Sequence, residues 1–301
     1  MAQDTLSSEF DQLEGEEFDL SSLEEEDQHT SILYYGEGGT GKTTNCASMA
    51  NLGRVLYINA ESGLRKRRLR DLGIATQNIV PYPKTGQDLD FDHLERWFWK
   101  LRSDLDRDPD SWAGVVFDSM TEITRSLLEA IITYQYQRSV ELGKARLRDT
   151  KPEDIVNRYF ADQGDYGIMG EQIRQLVRQF RDLPCHFAMT ALQRREEDKE
   201  DLTVVYQPAV IPSLQNDLIG IVDMVCHTDA RIIGGVDEYH GRFRPHGKFR
   251  GKDRDGVFPT KGIVYPTFER VLAYVDGEMQ PDTDPLMEEA KARRQKSKEE
   301  E

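Results

Sequence analysis

Apolar positions along this chain follow two spacings. Short β-branched or aromatic runs at 31–36, 54–60, 112–119, 184–191 and 220–227 have the length of buried strands. Ile79-Val-Pro-Tyr82 is a sixth run, confined by its proline to a sheet edge. Between these runs the spacing lengthens to three and four. Leu94, Trp97, Phe98, Leu101 and Leu105 form one stripe over 92–105, and Ile173, Leu176, Val177 and Phe180 another over 171–181, so both segments are predicted helices packed by one face. Shorter helices are expected over 44–52, 64–72 and from Pro212 to Leu218, and a helical arm over 121–163 that includes an insertion at about 126–165. Gly164 to Gly170 are expected to interrupt it, Arg194 to Asp201 to form a charged loop, and Leu202 to Tyr206 a strand. Residues 231–264 are Gly-rich and read as hairpins. Strands alternating with helices predict an α/β fold, a mainly parallel sheet flanked by helices, with the helical insertion and a C-terminal β-hairpin region.

One junction between a strand and a helix carries a motif. Gly36-Glu-Gly-Gly-Thr-Gly-Lys-Thr43 fits G-x-x-x-x-G-K-[ST] without a gap and follows an apolar strand, as a P-loop requires. Glycines let the backbone curl so that successive N–H groups face phosphate oxygens. Gly36, Glu37, Gly38, Gly39, Thr40, Gly41, Lys42, Thr43 and Thr44 are therefore the candidate nucleotide contacts. Lys42 is expected to reach the β- and γ-phosphates of ATP, and the Thr43 hydroxyl to hold Mg²⁺.

Two later strands end in carboxylates, at the sheet edge where ligands bind in open α/β folds. Glu61 closes the run Val55-Leu-Tyr-Ile-Asn-Ala and is the candidate base for the attacking water; Asp118 closes Val115-Val-Phe and is the candidate metal-associated acid. Thr190, Leu192 and Gln193 end the next strand, where a polar side chain can sense the γ-phosphate, and Gln193 is counted among the nucleotide contacts. The bases Arg65, Lys66, Arg67, Arg68 and Arg70 fit either a solvated helix face or a phosphate-contacting patch.

Charge sharpens the domain limits. The net charge is −16, but residues 1–30 carry eleven acids and no Lys or Arg, leaving −5 for residues 31–301. Residues 1–29 read as an acidic disordered tail, 30–275 as the folded domain and 276–301 as a charged, frayed tail. No apolar run reaches membrane-span length and no signal-peptide pattern opens the chain, so a cytoplasmic protein with no membrane partner is expected. Cys185-His186 and Cys226-His227 suggest metal ligation, yet neighbours on a strand point to opposite faces, which favours core cysteines.

Taken together, the order of elements resembles that of RecA-like P-loop ATPases. The resemblance rests on Gly36–Thr43, on Val55–Glu61, on Val115-Val-Phe-Asp-Ser119, and on Lys252-Asp-Arg254, which is similar to a Lys-x-Lys or Lys-x-Arg pair that acts on ATP held by the adjacent subunit. Asp118-Ser-Met-Thr-Glu122, Arg181-Asp-Leu-Pro184 running into Thr190-Ala191, and Ile219-Gly-Ile-Val-Asp223 look like phage-encoded members of the Sak-type single-strand annealing group. The resemblance spans about residues 30–275. It implies a DNA-stimulated ATPase with catalytic Glu61, Lys42, Lys252 and Arg254, metal held by Thr43 and Asp118, self-association into a ring or filament, and single-stranded DNA as partner. It also implies the host cytoplasm as location if the chain is phage-encoded. A nucleotide-gated loader that docks a replication or recombination protein through its acidic N-terminus is the alternative, and a small-molecule P-loop kinase a third reading.

Overall fold

A computed structural model describes residues 29–84, 86–141, 161, 163–197 and 204–299. The acidic tail up to residue 28 and half of the expected insertion lie outside the described residues. Ten strands form one sheet: β1 (Ser31–Gly36), β2 (Val55–Asn59), β3 (Ile79–Tyr82), β4 (Gly114–Asp118), β5 (His186–Glu197), β6 (Val204–Pro208), β7 (Met224–Ile233), β8 (Val236–Arg242), β9 (Lys252–Asp253) and β10 (Ile263–Val264). The helices are α1 (Lys42–Ala47), α2 (Lys66–Asp71), α3 (Phe91–Arg107), α4 (Met120–Glu141), α5 (Gln163–Arg181), α6 (Pro212–Ile221), α7 (Phe268–Val275) and α8 (Pro285–Glu299).

The main path through the sheet runs β10-β8-β7-β1-β5-β4-β2-β3, and the six strands from β7 to β3 are mutually parallel. The fold is thus α/β with helices on both faces, as the alternation predicts. Side chains along each central strand take opposite faces in turn. Leu33, Tyr35, Leu56, Ile58, Val115, Phe117, Phe187 and Met189 join one core layer under α3, α4, α5 and α6. Ile32, Tyr34, Val55, Tyr57, Val116 and Ala188 join the other, which packs against α1, Leu69 of α2 and α7. β5 lies between β1 and β4, so the strand before the glycine-rich loop and the strand ending in Asp118 are not neighbours.

The structure departs from the sequence expectations in four places. Gly164 to Gly170 do not break a helix; they lie within α5. Glycine costs a helix about 1 kcal/mol per residue relative to Ala, but Met169, Ile173, Val177 and Phe180 bury one face of α5 and outweigh that. Residues 194–197 are not loop but the outer half of β5, because they pair antiparallel with β6. The strand expected from Gly220 begins only at Met224, since α6 continues to Ile221.

The fourth departure is the C-terminus. Residues 285–299, expected as frayed tail, form α8. Their composition hides the anchor, which is ionic. Asp284, fully buried, accepts hydrogen bonds from Arg270 Nη2 (2.5 Å) and Tyr274 Oη (2.7 Å), and its Oδ1 accepts the Leu286 N–H at the start of α8. Arg293 and Arg294 reach the buried Glu238 of β8, and Ala290 is buried as well.

Burial alone would raise the Asp284 carboxyl, but the hydrogen bonds from Arg270 and Tyr274 outweigh it and hold the group below the usual carboxylate range. A depressed carboxyl stabilises the fold fully above its unfolded value, near 4, and loses that contribution as pH falls through the folded value. Asp284→Ala, which leaves Arg270 without its buried partner, should therefore cost about 3 kcal/mol in urea denaturation at pH 7. The gap to wild type should narrow below about pH 4, and a gap independent of pH would show that Asp284 acts only through packing.

Candidate active site

Three parallel strands converge on one carboxylate. Tyr57 on β2, Asp118 on β4 and Thr190 on β5 share strand parity with Val55, Val116 and Ala188, so all three face α1. Asp118, only 1% exposed, accepts hydrogen bonds from three hydroxyls: Thr43 Oγ1 to Oδ2 at 2.9 Å, Tyr57 Oη to Oδ2 at 2.7 Å, and Thr190 Oγ1 to Oδ1. The inserted β5 is what makes the third bond possible. Burial first, and the Asp118 charge second, push the Tyr57 phenol well above its ordinary range, so it stays a proton donor.

The loop itself is shaped by close approach. At Gly36 a Cβ would lie 2.3 Å from the Thr228 carbonyl oxygen on β7, so only glycine lets the two strands meet there. Gly41 adopts φ +87°, the left-handed conformation from which α1 begins. Thr40 Oγ1 and Thr228 Oγ1 are 2.8 Å apart, tying the loop to β7. Lys42 folds back over the loop, its ammonium donating to the carbonyls of Gly36 (3.0 Å) and Glu37 (2.6 Å). Burial pulls its pKa down, opposed chiefly by the charges of Glu61 and Asp118.

Opposite the loop stands Glu61, just past the end of β2, whose Oε1 accepts a hydrogen bond from the Ser119 hydroxyl. Gly38 to Thr44, Glu61, Gly63, Arg65, Arg68 and Leu192 line one cleft of about 270 Å³. Gln193 bridges from the side: its Nε2 donates to Glu37 Oε1 (2.9 Å), and its Oε1 lies 3.1 Å from His227 Nε2. Burial lowers the His227 pKa to about 4, so the ring is neutral at pH 7 and is stacked on Phe249. Cys226, the preceding residue, points into the opposite core layer, and the buried Cys185 and its neighbour His186 divide in the same way.

A second cavity of about 200 Å³ adjoins the first, sharing Gly41, Thr44 and Arg68 with it and walled by Asn45, Tyr239 and Tyr265. Asn45 is 4% exposed, and among the described residues its Nδ2 has no hydrogen-bond partner. An orphaned buried amide costs about 1–3 kcal/mol, and this one lies in the cavity wall behind its surface. The cavity at the loop thus fits the phosphates of a nucleotide. The oxygen pair of Thr43 and Asp118 fits a hard divalent cation such as Mg²⁺.

Glu61, Lys42, Thr43, Asp118 and Gln193 are thereby brought together. Lys252 and Arg254 are not. β9 pairs with the first residues of β7, so both cations sit toward the sheet edge opposite the loop. The Lys252 ammonium caps the end of α6, donating to the carbonyls of Ile219, Gly220 and Val222 at 2.6–3.1 Å, and Arg254 pairs with Asp223 at 2.6 Å. An action on a neighbouring subunit requires them to leave these partners. Tyr57, Thr228 and His227 touch the site residues without a motif to mark them; strand parity marks Tyr57 and Thr190 as facing the same side as Asp118.

Removing one donor from a carboxylate that orients a metal lowers metal affinity or activity about 10- to 100-fold. Tyr57→Phe should raise the Mg²⁺ concentration for half-maximal nucleotide turnover by about tenfold while leaving the melting temperature within a few degrees. An unchanged Mg²⁺ titration would reduce Tyr57 to packing.

A family model described as an AAA domain matches residues 28–255, which takes in the loop, Glu61, Asp118 and Gln193. No curated protein matches the chain.

Proposed function

The chain belongs to this AAA-domain family, and as a nucleotide-binding ATPase of that family we propose that it hydrolyses ATP at the cleft between residues 36–44 and Glu61, using the released energy on single-stranded DNA. The observation that carries the hydrolytic part is the joining of Thr43, Asp118 and Thr190 within one hydrogen-bonded cluster, with Lys42 and Glu61 on either side of the cleft. Lys42 neutralises phosphate charge and Glu61, oriented by Ser119, accepts the proton of the attacking water. Mg²⁺, when bound by Thr43 and Asp118, supplies further neutralisation of the developing phosphoryl charge. Gln193 touches the loop through Glu37 and begins the β5 extension, so it is the residue we assign as γ-phosphate sensor.

The DNA part rests on what that extension presents. Arg195 lies across from Tyr206 in the β5–β6 ribbon, Tyr206 stacks on Phe249 with ring centroids 5.0 Å apart, and the exposed Lys248 and Arg250 flank that ring. Because the Phe249 ring is itself covered by Tyr206 and His227, it is the exposed cations Arg195, Lys248 and Arg250 that suit the phosphates of a single strand. Together with the likeness of Asp118–Glu122 and Ile219–Asp223 to the Sak-type group, this favours RecA-like annealing or recombination by an assembled ring or filament over a nucleotide-gated loader or a small-molecule kinase.

Two experiments check this reading. Lys42→Ala should abolish turnover with the fold intact, and Glu61→Gln should bind ATP as wild type does yet release phosphate at least 100-fold more slowly; normal release would remove Glu61 as base. Fluorescent single-stranded DNA should bind with an affinity that falls steeply with salt, and Arg195→Ala should flatten the slope by about one. Affinity indifferent to salt would sink the DNA reading and leave the ATPase standing.

A further inference from the structure

We propose that Arg65 and Arg68 grip the terminal phosphate of the nucleotide bound by their own chain, so that the cations completing the site are supplied in cis. This rests on the nucleotide reading above. The sequence leaves the five bases of 65–70 divided between a solvated face and a phosphate patch, and the structure sorts them. Leu69, 4% exposed, anchors α2 in the core layer beneath the sheet and so fixes which way the helix faces. Arg65 and Arg68, three residues apart at the start and on the body of the helix, share a face and line the cleft opposite the loop. Lys66 instead lines a neighbouring cleft against Ile79 and Pro81, and Arg67 and Arg70 line neither.

Three further facts support the pair. Among the described residues neither guanidinium has an ion pair or side-chain hydrogen bond; Arg67 and Arg70 are as free, so what distinguishes the pair is the cleft it lines. The cleft they face already carries Glu61 and the buried Asp118 against the single cation Lys42, so a triphosphate entering it needs positive charge beyond Lys42 and one divalent ion. Finally, Lys252 and Arg254 are held by their own chain near the opposite sheet edge. The planar fork of an arginine matches a phosphate face with two parallel hydrogen bonds, and a cation placed on the transferring phosphoryl group in this way acts on the transition state more than on the ground state. Because α2 follows Glu61 by only a few residues, base and cations share one short segment of chain.

The test is hydrolysis by the full-length chain with Mg²⁺ and ATP. Arg65→Ala and Arg68→Ala should each lower kcat about 100-fold and weaken binding of ATP more than that of ADP, with Lys at either position restoring part of the loss. Arg67→Ala and Arg70→Ala on the outer faces should stay within about twofold of wild type, and melting temperatures of all four should agree, since all four side chains are exposed. Mixing Arg68→Ala chains with Glu61→Gln chains distinguishes cis from trans supply: no turnover should return. Recovery of activity in the mixture would overturn supply in cis, and equal kcat for the inner and outer variants would return the whole helix to a solvated role. Absence of turnover in wild type as well would overturn this proposal together with the hydrolytic reading, whereas the other two outcomes leave that reading intact.

Discussion

A buried carboxylate must be satisfied where it is buried, and the Asp118 side chain meets that demand with three hydroxyls from three different elements. Thr43 comes from the loop and first turn of α1, Tyr57 from β2 and Thr190 from β5. A hydrogen bond to a charged group contributes roughly 1.5–3 kcal/mol, and loss of a partner leaves desolvation unopposed. The sheet order fits the same constraint: with β5 between β1 and β4, the loop, Thr190 and Asp118 occupy consecutive positions across the sheet. Thr43 and Thr190 thus share the Asp118 carboxylate, and β5 continues from Thr190 into its ribbon with β6.

Conformational demands on the loop come from its neighbours as much as from its ligand. Gly36 is required by the Thr228 carbonyl and Gly41 by the turn into α1, while Gly38 and Gly39 have open space around them. Gly39 adopts φ +81°, so of the loop's four glycines Gly38 alone is free of a steric or conformational demand. Glu37 is held by Gln193, which in turn touches His227, so the loop's own side chain joins β5 and β7. With its pKa lowered to about 4 by burial, His227 keeps one ring nitrogen available as an acceptor throughout the physiological range.

Much of this was legible in the chain. The loop, Glu61 and Asp118 were readable because backbone-curling glycines and carboxylates at strand ends have few other uses at those spacings, and the parallel sheet followed from strand-helix alternation. Tyr57 escaped notice because an aromatic in an apolar strand reads as core, which it also is; only counting parity from Tyr57, Asp118 and Thr190 toward one face reveals the hydroxyl. The α8 helix was illegible for the opposite reason: its docking depends on Asp284, Glu238 and their arginines, contacts between residues 14 and 56 apart in sequence that no local pattern records. Lys252 illustrates a third limit. A Lys-x-Arg pair gives its chemistry but not its address, and the carbonyls at the end of α6 that hold it are set by tertiary structure alone.

The claim on which the rest depends is that the Asp118 cluster is a metal-orienting catalytic centre and not merely a satisfied core acid. Asp118→Asn keeps the size and most hydrogen bonds of the side chain while removing its charge. Phosphate release measured across a Mg²⁺ titration should then fall at least 100-fold at every concentration, with nucleotide still bound and the fold retained. Wild-type release with an unshifted Mg²⁺ dependence would contradict the account.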